Sequence, residues 1–434
     1  MLYKKLIIFG IVLGSGAQVM AQDVLSREEA VNIALENNYQ IRVVKNQEQI
    51  AANNTSIYNS GKLPTVSLNA GGNYNNNNVE AGFQNGDVTT VSWAESNSVN
   101  ANISANYVVF NGFSRKYNVT QFMNNYKLSQ LQSKSAIENV ILQVYNAYYE
   151  VARLEENAMN LKGALKISKE RLERIQLQNE YGQSNNLAIS NALVDVNTDS
   201  INILNISQQL ENSKRNLNLL LGRDIQTEFS IDTLIQFDIA YQKNILEEQA
   251  LNKNTAFLLA QQNLAISEIS LKQTETSFYP QLSVGASYGW NKNNNNPASF
   301  LAYNIGSGIA GNVSLTWNLF DGGGRYIRKA NALIEVGNRQ TDMERIRQEL
   351  LRDFNNAWGN YTNALFVLNA QEDNLRTNRI NFNRTEEQYR IGRVSSIEFR
   401  QAQLNLLNAQ MNRNQSKYQA KLAEIELLRV SGQL

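Results

Sequence analysis

The sequence contains no cysteine and no histidine, and this absence removes most of the side chains that enzymes use for catalysis. Histidine is the commonest general base, cysteine is the usual thiol nucleophile, and the two together supply most zinc ligands. A catalytic site would have to use carboxylates alone, and no acidic pair stands at a recognisable spacing. The sequence therefore offers no catalytic residue, no cofactor site and no metal site. It also cannot form disulfides or carry a lipid on an N-terminal cysteine.

Charge and long apolar runs are scarce as well. Charged residues make up 18% of the 434 residues, the formal net charge is +1, and there are only 3 prolines, whereas about one residue in seven is asparagine. Such a near-neutral chain gives no reason to expect nucleic acid as a partner. No stretch beyond the leader approaches the 18 apolar residues of a membrane-spanning helix. If the chain enters a membrane, it must do so with strands.

The first residues have the composition of a secretory signal peptide. Lys4 and Lys5 precede an apolar run from Leu6 to Leu13, and a small residue, Ala21, ends the segment. We predict a signal peptide at 1–21 with cleavage after Ala21, since the apolar run is too short for a transmembrane anchor. Cleavage would change the formal charge from +1 to −1, because the segment contains two lysines and no acid.

The remainder of the chain repeats itself. Phe-Asn-Gly at 110–112 returns 210 residues later as Phe-Asp-Gly at 320–322, and Pro64 returns 216 residues later as Pro280. The six-residue difference lies between Pro64 and Phe110, in the loop that joins two strands. A motif order repeated at a fixed period indicates one structural unit used twice.

Each copy shows the same order of periodicities. Residues alternate between apolar and small polar types over four stretches of about ten residues, which is the period of a strand and the length of a tilted membrane strand. Long stretches with helical spacing and coiled-coil seams follow each pair. The predicted plan is a first repeat at 22–222, with strands at about 64–74 and 99–110 and helices at about 115–181 and 187–221; a linker at 223–243; and a second repeat at 244–434, with strands at about 281–290 and 309–319 and helices at about 325–389 and 396–430.

The four predicted strands favour a membrane sheet over a soluble one. As bounded above they contain no charged residue, and a lysine or arginine facing lipid at mid-depth would cost about 2–4 kcal/mol. The apolar rows carry aromatics that we expect to face lipid, with Trp317 near mid-barrel: Tyr74, Tyr107, Tyr288, Trp290 and Trp317. The segments 75–98 and 291–307 are predicted to be solvated loops. Four strands cannot close a barrel, so several copies must share one.

The turns and helix lengths complete the plan. Pro64 and Pro280 open the strands, Gly112 and Gly322 mark the turns from strand to helix, and Gly182 and Gly392 mark the helix reversals. No Gly-Lys-Ser/Thr follows the first two turns, so they are not phosphate-binding loops. Each long helix would run about 100 Å and return only about 50 Å. We therefore expect shorter helices to stack end to end and the linker to form a belt around the middle.

The order of these features resembles the TolC family of outer membrane efflux proteins. The features that carry the resemblance are the proline-led strands, the Phe-Asn-Gly and Phe-Asp-Gly-Gly turns, and the reversals "EYGQSNNLAISNALVDVN" and "QYRIGRVSSIEFRQAQLNL". The resemblance covers essentially the whole mature chain. It implies a mixed α and β membrane protein, a homotrimer with one shared 12-stranded β-barrel and an α-helical coiled-coil tunnel in the periplasm. It also implies contact with outer membrane lipid and, as partners, a periplasmic adaptor (membrane fusion protein) and an inner-membrane transporter.

The resemblance further implies a periplasmic gate at the second reversal. Its candidates here are Tyr389, Gly392, Arg393, Glu398 and Gln401. Gln401 replaces the second acid of the family pattern, and the family's gate arginine falls at Val394, with Arg393 and Arg390 beside it as substitutes. The first reversal has the apolar residues Leu187 and Ala188 at the comparable positions, so it is expected to contribute less to the gate. The alternative is that Arg393 and Glu398 form only a solvated ion pair at the helix tip.

The predicted function is an outer membrane exit channel of a tripartite efflux system, which passively conducts solutes received from the adaptor and the pump. An outer membrane channel for type I protein secretion is an alternative with the same architecture. A periplasmic coiled-coil adaptor without a pore is a more remote one, because adaptors have soluble β-domains with charged outer faces. An enzyme that uses carboxylates alone is the third.

Overall fold

The computed structural model describes residues 24–237 and 241–434, so the predicted signal peptide and part of the predicted linker lie outside the described residues. The elements in chain order are β1 (Val24–Leu25), α1 (Arg27–Asn37), α2 (Tyr39–Asn54), β2 (Thr65–Gly82), β3 (Val88–Asn111), α3 (Ser114–Glu180), α4 (Asn186–Leu221), β4 (Ser230–Ile231), α5 (Lys243–Lys253), α6 (Thr255–Thr276), β5 (Gln281–Asn294), β6 (Tyr303–Thr316), α7 (Gly324–Arg390) and α8 (Ser396–Val430).

The described residues form two compact units, and neither coincides with a sequence repeat. The first unit contains residues 24–38, 140–237 and 361–424, and the second contains residues 39–139, 241–360 and 425–434. Each unit therefore takes segments from both repeats. The long helices α3 and α7 contribute to both units, because each contains 67 residues, far more than one compact unit can cover.

The second unit contains an antiparallel sheet in the order β2-β3-β5-β6. Pro64 and Pro280 stand directly before β2 and β5, where a missing backbone N–H does not interrupt the pairing. The strands are longer than predicted, since β2 continues to Gly82 and β5 to Asn294. The predicted loops 75–98 and 291–307 are therefore mostly strand. Their asparagine-rich sequence has polar residues on both faces, so no alternation reveals the pairing.

The last predicted strand is too long at its end. It was expected to reach residue 319, but β6 ends at Thr316, and Trp317 lies beyond it at the helix end of the sheet. The indole Nε1 of Trp317 donates a hydrogen bond to the carbonyl oxygen of Phe278 at 3.2 Å, just before β5 begins. The prediction that Trp317 lies near mid-barrel is therefore wrong.

The helix α3 packs along one apolar side. Val140, Val144, Tyr148 and Val151 form a fully buried row, and Ile141 and Tyr145 beside it are half-buried. The helix is thus covered over a wider arc than a two-helix seam requires. Within residues 24–237 and 241–434, no helix combines the length and the apolarity that spanning a membrane requires.

A belt of irregular chain crosses the first unit. β1 pairs with β4 in parallel, and the buried hydroxyl of Tyr148 donates to the carbonyl oxygens of Leu25 at 3.0 Å and Asp232 at 3.2 Å. Lys417 and Lys421 on α8 donate to the carbonyl oxygens of residues 233 and 236 at 3.2 Å and 2.8 Å. Helix side chains therefore add hydrogen bonds to a belt that has few backbone pairs of its own.

Within each unit, an asparagine side chain binds a carbonyl oxygen at the end of a long helix. In the second unit, Asn254 accepts hydrogen bonds from the first backbone N–H groups of α6, and its Nδ2 donates to the carbonyl oxygen of Val430 at the end of α8, at 3.0 Å. In the first unit, Asn38 Nδ2 donates to the carbonyl oxygen of Leu220 at 2.7 Å. Such caps satisfy helix-terminal groups that would otherwise lack partners.

Candidate functional site

The second helix reversal is a compact turn centred on Gly392. Its φ is +73°, its N–H donates to the carbonyl oxygen of Tyr389 at 3.1 Å, and the N–H of Arg393 donates to that of Gln388 at 2.8 Å. This is the paired hydrogen-bond pattern that ends a helix with a left-handed residue, a conformation that glycine adopts without steric cost. The turn presents Arg393 to solvent.

Glu398 lies in the first turn of the return helix α8. The backbone N–H of Ser395 donates to Glu398 Oε2 at 2.7 Å, and the N–H of Glu398 donates to Ser395 Oγ at 3.2 Å, which forms a reciprocal capping box. Both hydrogen bonds hold the pKa of Glu398 below its usual range, and the bond from the Ser395 N–H has the larger effect. Among the described residues Arg393 and Glu398 make no ion pair with each other, so the alternative of a solvated ion pair at the helix tip is wrong. The reason is that the carboxylate turns back onto its own helix.

Tyr389 points inward, with 9% of its surface exposed. Its ring stacks on Phe399 with centroids 4.6 Å apart and an interplanar angle of 4°, and Phe399 in turn stacks on Phe382 at 5.6 Å. The guanidinium of Arg174 lies 5.4 Å from the Tyr389 ring centroid and donates to the carbonyl oxygen of Arg390 at 2.7 Å. Tyr389 thus joins α3, α7 and α8 at the tip.

The other tip residues make local contacts. Gln401 is exposed and donates to Asn405 along α8 at 2.9 Å. At the first reversal Gly182 has φ +71°, and Asn185 caps α4 by accepting from the N–H of Ala188 at 3.0 Å. At both reversals the backbone therefore turns in the same way, whereas the side chains that the turns present differ.

Behind the tip lies a buried ion pair that the sequence interpretation missed. Arg400 on α8 donates to both carboxylate oxygens of Asp199 on α4, each at 2.8 Å, and Ser168 Oγ on α3 donates to the same carboxylate at 2.6 Å. Gln403 donates to Ser168 Oγ at 3.0 Å and to the carbonyl oxygen of Ala164 at 2.7 Å. Asp199 is 1% exposed. A bidentate, charge-assisted pair therefore ties three helices together.

A second acid extends this network toward the tip. Arg171, which is also buried, forms an ion pair with Asp195, whose other oxygen lies 3.5 Å from Arg400 Nε. Asp195 and Asp199 stand four residues apart on one face of α4, a helix that contains only one other acid, Glu211. That spacing was the sequence signal for a site of paired acids on α4. Comparison of the two repeats does not reveal it, because the positions 210 residues after the two aspartates are Asn405 and Ala409, which are not acidic.

The balance of charges decides the state of this cluster. Burial alone would raise the pKa of Asp199, but the hydrogen bonds from Arg400 and Ser168 outweigh it and leave the pKa below its usual range. Burial would lower the pKa of Arg400, whereas the bond to Asp199 raises it. Both groups are therefore charged at neutral pH.

In the second unit, the sheet has one apolar and one polar face. Cross-strand partners on the apolar face, read from the helix end, are Val66, Ala105, Ala286 and Gly311; then Leu68, Ile103, Tyr288 and Ile309; then Ala70, Ala101, Trp290 and Ser307; then Gly72, Val99, Lys292 and Ile305. The large apolar side chains of this face are exposed in the single chain.

The expectation that the strands are uncharged is wrong for their full length. Glu80, Glu95 and Lys292 lie within them, all toward the hairpin ends. The apolar band on β5 nevertheless runs from Leu282 to Trp290 without a charge, and this is about the length that a tilted strand needs to cross a bilayer. The charged residues lie where the strands extend beyond that apolar band, toward the hairpins.

The five aromatics named above lie at different levels of the sheet. Tyr74 lies at the hairpin side of the apolar band, and Tyr288 and Trp290 lie within it. Tyr107 lies near the helix end, where its ring is 5.2 Å from the guanidinium of Arg115 and is half-buried. Trp317 lies beyond the band, at the same end.

The opposite face of the sheet is lined with asparagine, serine and glycine. Two of its rows are Thr65, Asn106, Gly285 and Asn312, and Asn69, Asn102, Gly289 and Gly308. A Cβ at Gly285 would lie 2.4 Å from Asn312 Oδ1 and 2.8 Å from Asn106 Oδ1, so the glycine makes room for amides from both neighbouring strands. The face is polar and, in these rows, uncharged.

Comparison with known proteins identifies the family. The family model described as "Outer membrane efflux protein" matches residues 30–223 and 246–433. The outer membrane protein TolC of Vibrio cholerae is 22% identical over 411 residues, which cover 94% of this chain and 90% of that protein. The two matched ranges fall on the two sequence repeats.

Solved structures show the same fold. The CmeC outer membrane channel of Campylobacter jejuni superposes with a TM-score of 0.78 at 16% identity, covering 100% of this chain and 94% of that chain. The open state of the MtrE outer membrane channel of Neisseria gonorrhoeae gives a TM-score of 0.71 at 15% identity, covering 94% and 88%. None of the three alternatives, the protein-secretion channel, the adaptor or the carboxylate enzyme, is favoured by these similarities. This chain belongs to the outer membrane efflux protein family: it is an outer membrane channel of an efflux system with a large periplasmic portion, and it is not an enzyme.

Proposed function

We propose that three copies of this chain share one 12-stranded barrel through which solutes leave the cell passively. The observation that supports this most directly is the sheet itself, in which β2 and β6 each have one neighbour among the described residues and the apolar face is exposed. An unpaired strand edge cannot stay in lipid. β2 and β6 run in opposite directions, so pairing β6 of one copy with β2 of the next continues the antiparallel order around a closed barrel.

In this barrel the two faces of the sheet are exposed to different environments, lipid outside and water inside. The apolar face meets lipid, with Tyr74 and Trp290 toward the outer boundary, Tyr107 and Trp317 at the periplasmic boundary and Tyr288 between them. The face of asparagine, serine and glycine lines the lumen. Its uncharged amides and hydroxyls offer weak hydrogen bonds to many polar solutes, which suits a passive exit path.

The helical part continues this path into the periplasm. We propose that α3, α4, α7 and α8 of three copies form a coiled-coil tunnel that receives solutes from a periplasmic adaptor and an inner-membrane transporter. The long helices and their narrow apolar seams support this assignment, because broad polar faces suit a water-filled passage.

Cysteine cross-linking tests the trimer, since the chain has no native cysteine. Ser67→Cys on edge strand β2, combined in turn with Gly308→Cys, Ala310→Cys or Asn312→Cys on edge strand β6, is expected to yield covalent trimers and nothing larger in at least one combination. The control combines the same β6 cysteines with Ser104→Cys on the interior strand β3 and should give no inter-chain product. Products that end at dimers, or that continue beyond trimers, would contradict the proposal.

We also propose that the second reversal closes the periplasmic end. Arg393 is exposed, and the carboxylate oxygen of Glu398 that is not used in the capping box is available to a neighbouring copy. Charge pairs between copies around the tips would hold the passage shut. Tyr389 and Gly392 fix the direction in which Arg393 leaves the turn, and Gln401 adds a hydrogen-bonding amide one helical turn later.

Single-channel conductance in planar bilayers measures this gate. Arg393→Ala and Glu398→Gln are each expected to raise a small wild-type conductance severalfold, because each removes one charge of the closure. Glutamine can preserve the capping box, so the second variant changes charge without releasing α8. Gln183→Ala, at the matching position of the first reversal, should leave the conductance unchanged. Equal conductance in all four proteins would place the gate elsewhere.

A further inference from the structure

A cavity of about 420 Å³ lies where β3 joins α3, entirely within the second unit. One part of its lining is apolar and includes Val109, Phe113 and Met123, all about half exposed. The other part is basic and consists of Lys62, Arg115 and Lys116. The cavity therefore combines three positive charges with an apolar wall.

The cations of this cavity lack the counter-ion that the second repeat provides. There Arg325 lies 3.7 Å from the carboxylate of Asp321, which also binds Arg328 at 3.0 Å. The matching position 210 residues earlier is Asn111, which carries no charge. Among the described residues, no carboxylate lies within 4.0 Å of the side-chain nitrogens of Lys62, Arg115 or Lys116. The first repeat thus keeps the arginine and omits its acid.

Phe113 is a second departure from the other repeat. Its φ is +67°, whereas the equivalent residue is Gly323 with φ +88°. A bulky side chain in this left-handed region is rare and strained, and it persists only where its surroundings hold it. Phe110 holds the ring edge-on at a centroid distance of 5.4 Å, and 54% of the residue stays exposed beside the cavity. The first repeat therefore maintains an aromatic surface where glycine would fit the turn.

We propose that this cavity binds a glycerophospholipid of the periplasmic leaflet, with its phosphate at the three cations and its acyl chains along the apolar wall. The inference rests on the proposed placement of the sheet in the membrane. The phosphate supplies the charge that Asn111 does not, and lysine and arginine are its usual partners. The apolar wall continues into the lipid-facing side of the sheet, because Phe110 shares a row with Leu282 and Leu315. An anionic headgroup such as phosphatidylglycerol binds best.

Native mass spectrometry of the detergent-purified protein, titrated with phosphatidylglycerol, tests this site. Lys62→Gln/Lys116→Gln removes two exposed charges that form no side-chain hydrogen bond or ion pair among the described residues, and it is expected to weaken the tightest lipid binding about 10- to 30-fold. Lys127→Gln/Lys272→Gln makes the same charge change on exposed lysines that do not line the cavity and should leave binding unchanged. Phe113→Gly, which adopts the residue of the other repeat, should weaken binding while the protein stays folded.

Two results would overturn the lipid site. One is equal phosphatidylglycerol affinity in both double variants, which would mean that charge anywhere on this unit suffices. The other is displacement of the lipid by millimolar inorganic phosphate, which would mean that the cavity recognises a free anion. Trimer formation and conductance are measured on the same preparations. If they are normal while lipid binding shows no preference, this inference fails and the channel proposal stands; if the wild type forms no trimer, the channel proposal itself fails.

Discussion

Asp199→Ala is expected to destabilise the first unit by about 3–5 kcal/mol, the largest stability effect that we expect from a single substitution in this chain. The substitution leaves Arg400 buried without its bidentate partner and removes the acceptor of the Ser168 hydroxyl. An unpaired charge in a buried site costs far more than a lost surface ion pair. Urea unfolding followed by circular dichroism at neutral pH would show a lower midpoint.

Glu211→Ala is the matched control, because it removes an exposed acid from the same helix, and its effect should stay within about 0.5 kcal/mol. Asp199→Leu/Arg400→Met replaces the whole pair with apolar side chains and should recover much of the loss. Equal midpoints for Asp199→Ala and Glu211→Ala would show that the buried pair does not stabilise this unit.

The stability that the Asp199–Arg400 ion pair provides is expected to be lost at acid pH. Because the pKa of Asp199 is lower in the folded chain than its ordinary value of 3.8, the carboxylate adds stability at any pH above that value. This contribution is lost as the pH falls through the folded-state pKa. The difference in stability between wild type and Asp199→Ala should therefore be constant from about pH 5 to 8 and shrink only below about pH 4.

Ile309→Lys is expected to abolish insertion of the barrel, whereas Ala310→Lys, one residue along the same strand, should be tolerated. Ile309 lies in the middle rows of the apolar face beside Tyr288, and it is 85% exposed in the single chain. A lysine facing lipid at mid-depth costs about 2–4 kcal/mol, and in the proposed trimer the cost occurs three times. Ala310 lies on the polar face, where a lysine would point into the lumen of the proposed barrel.

The measurement is the amount of trimer that resists unheated SDS in isolated outer membranes. Wild type and Ala310→Lys should give similar amounts, and Ile309→Lys should give almost none. If both lysine variants assembled equally, the apolar face would not be the lipid face, and the assignment of the two faces would have to be reversed or abandoned.

The repeat, the strands and the long helices could be read from the sequence because each is local. Alternation over about ten residues indicates a strand whose two faces meet different solvents, and a long stretch without proline at helical spacing indicates a helix. The turn residues follow for the same reason, since Gly392 is needed for a left-handed position that few other residues adopt.

The errors fall where local pattern ends. The strands beyond the apolar band are polar on both faces, so only backbone pairing with a neighbour, as between Asn76 and Glu95, shows that they continue. Trp317 lies beyond the end of its strand, and its indole binds a carbonyl oxygen from a residue 39 positions away, a contact that local pattern does not reveal. The capping box of Glu398 was visible as Ser395 three residues earlier, but the choice between cap and ion pair depended on which way the carboxylate turned.

The sequence by itself determined the class of protein, because composition, periodicity and internal repeats can be read from the order of residues without knowing which residues are in contact. It could not determine which segments pack together: each compact unit mixes both repeats, and Asp199 meets Arg400 across 201 residues. Only tertiary packing brings such residues within hydrogen-bond distance, and burial then decides that they must pair. The cavity proposed to bind lipid has the same origin, since Lys62 and Arg115 come to line it only after the strands between them have folded back.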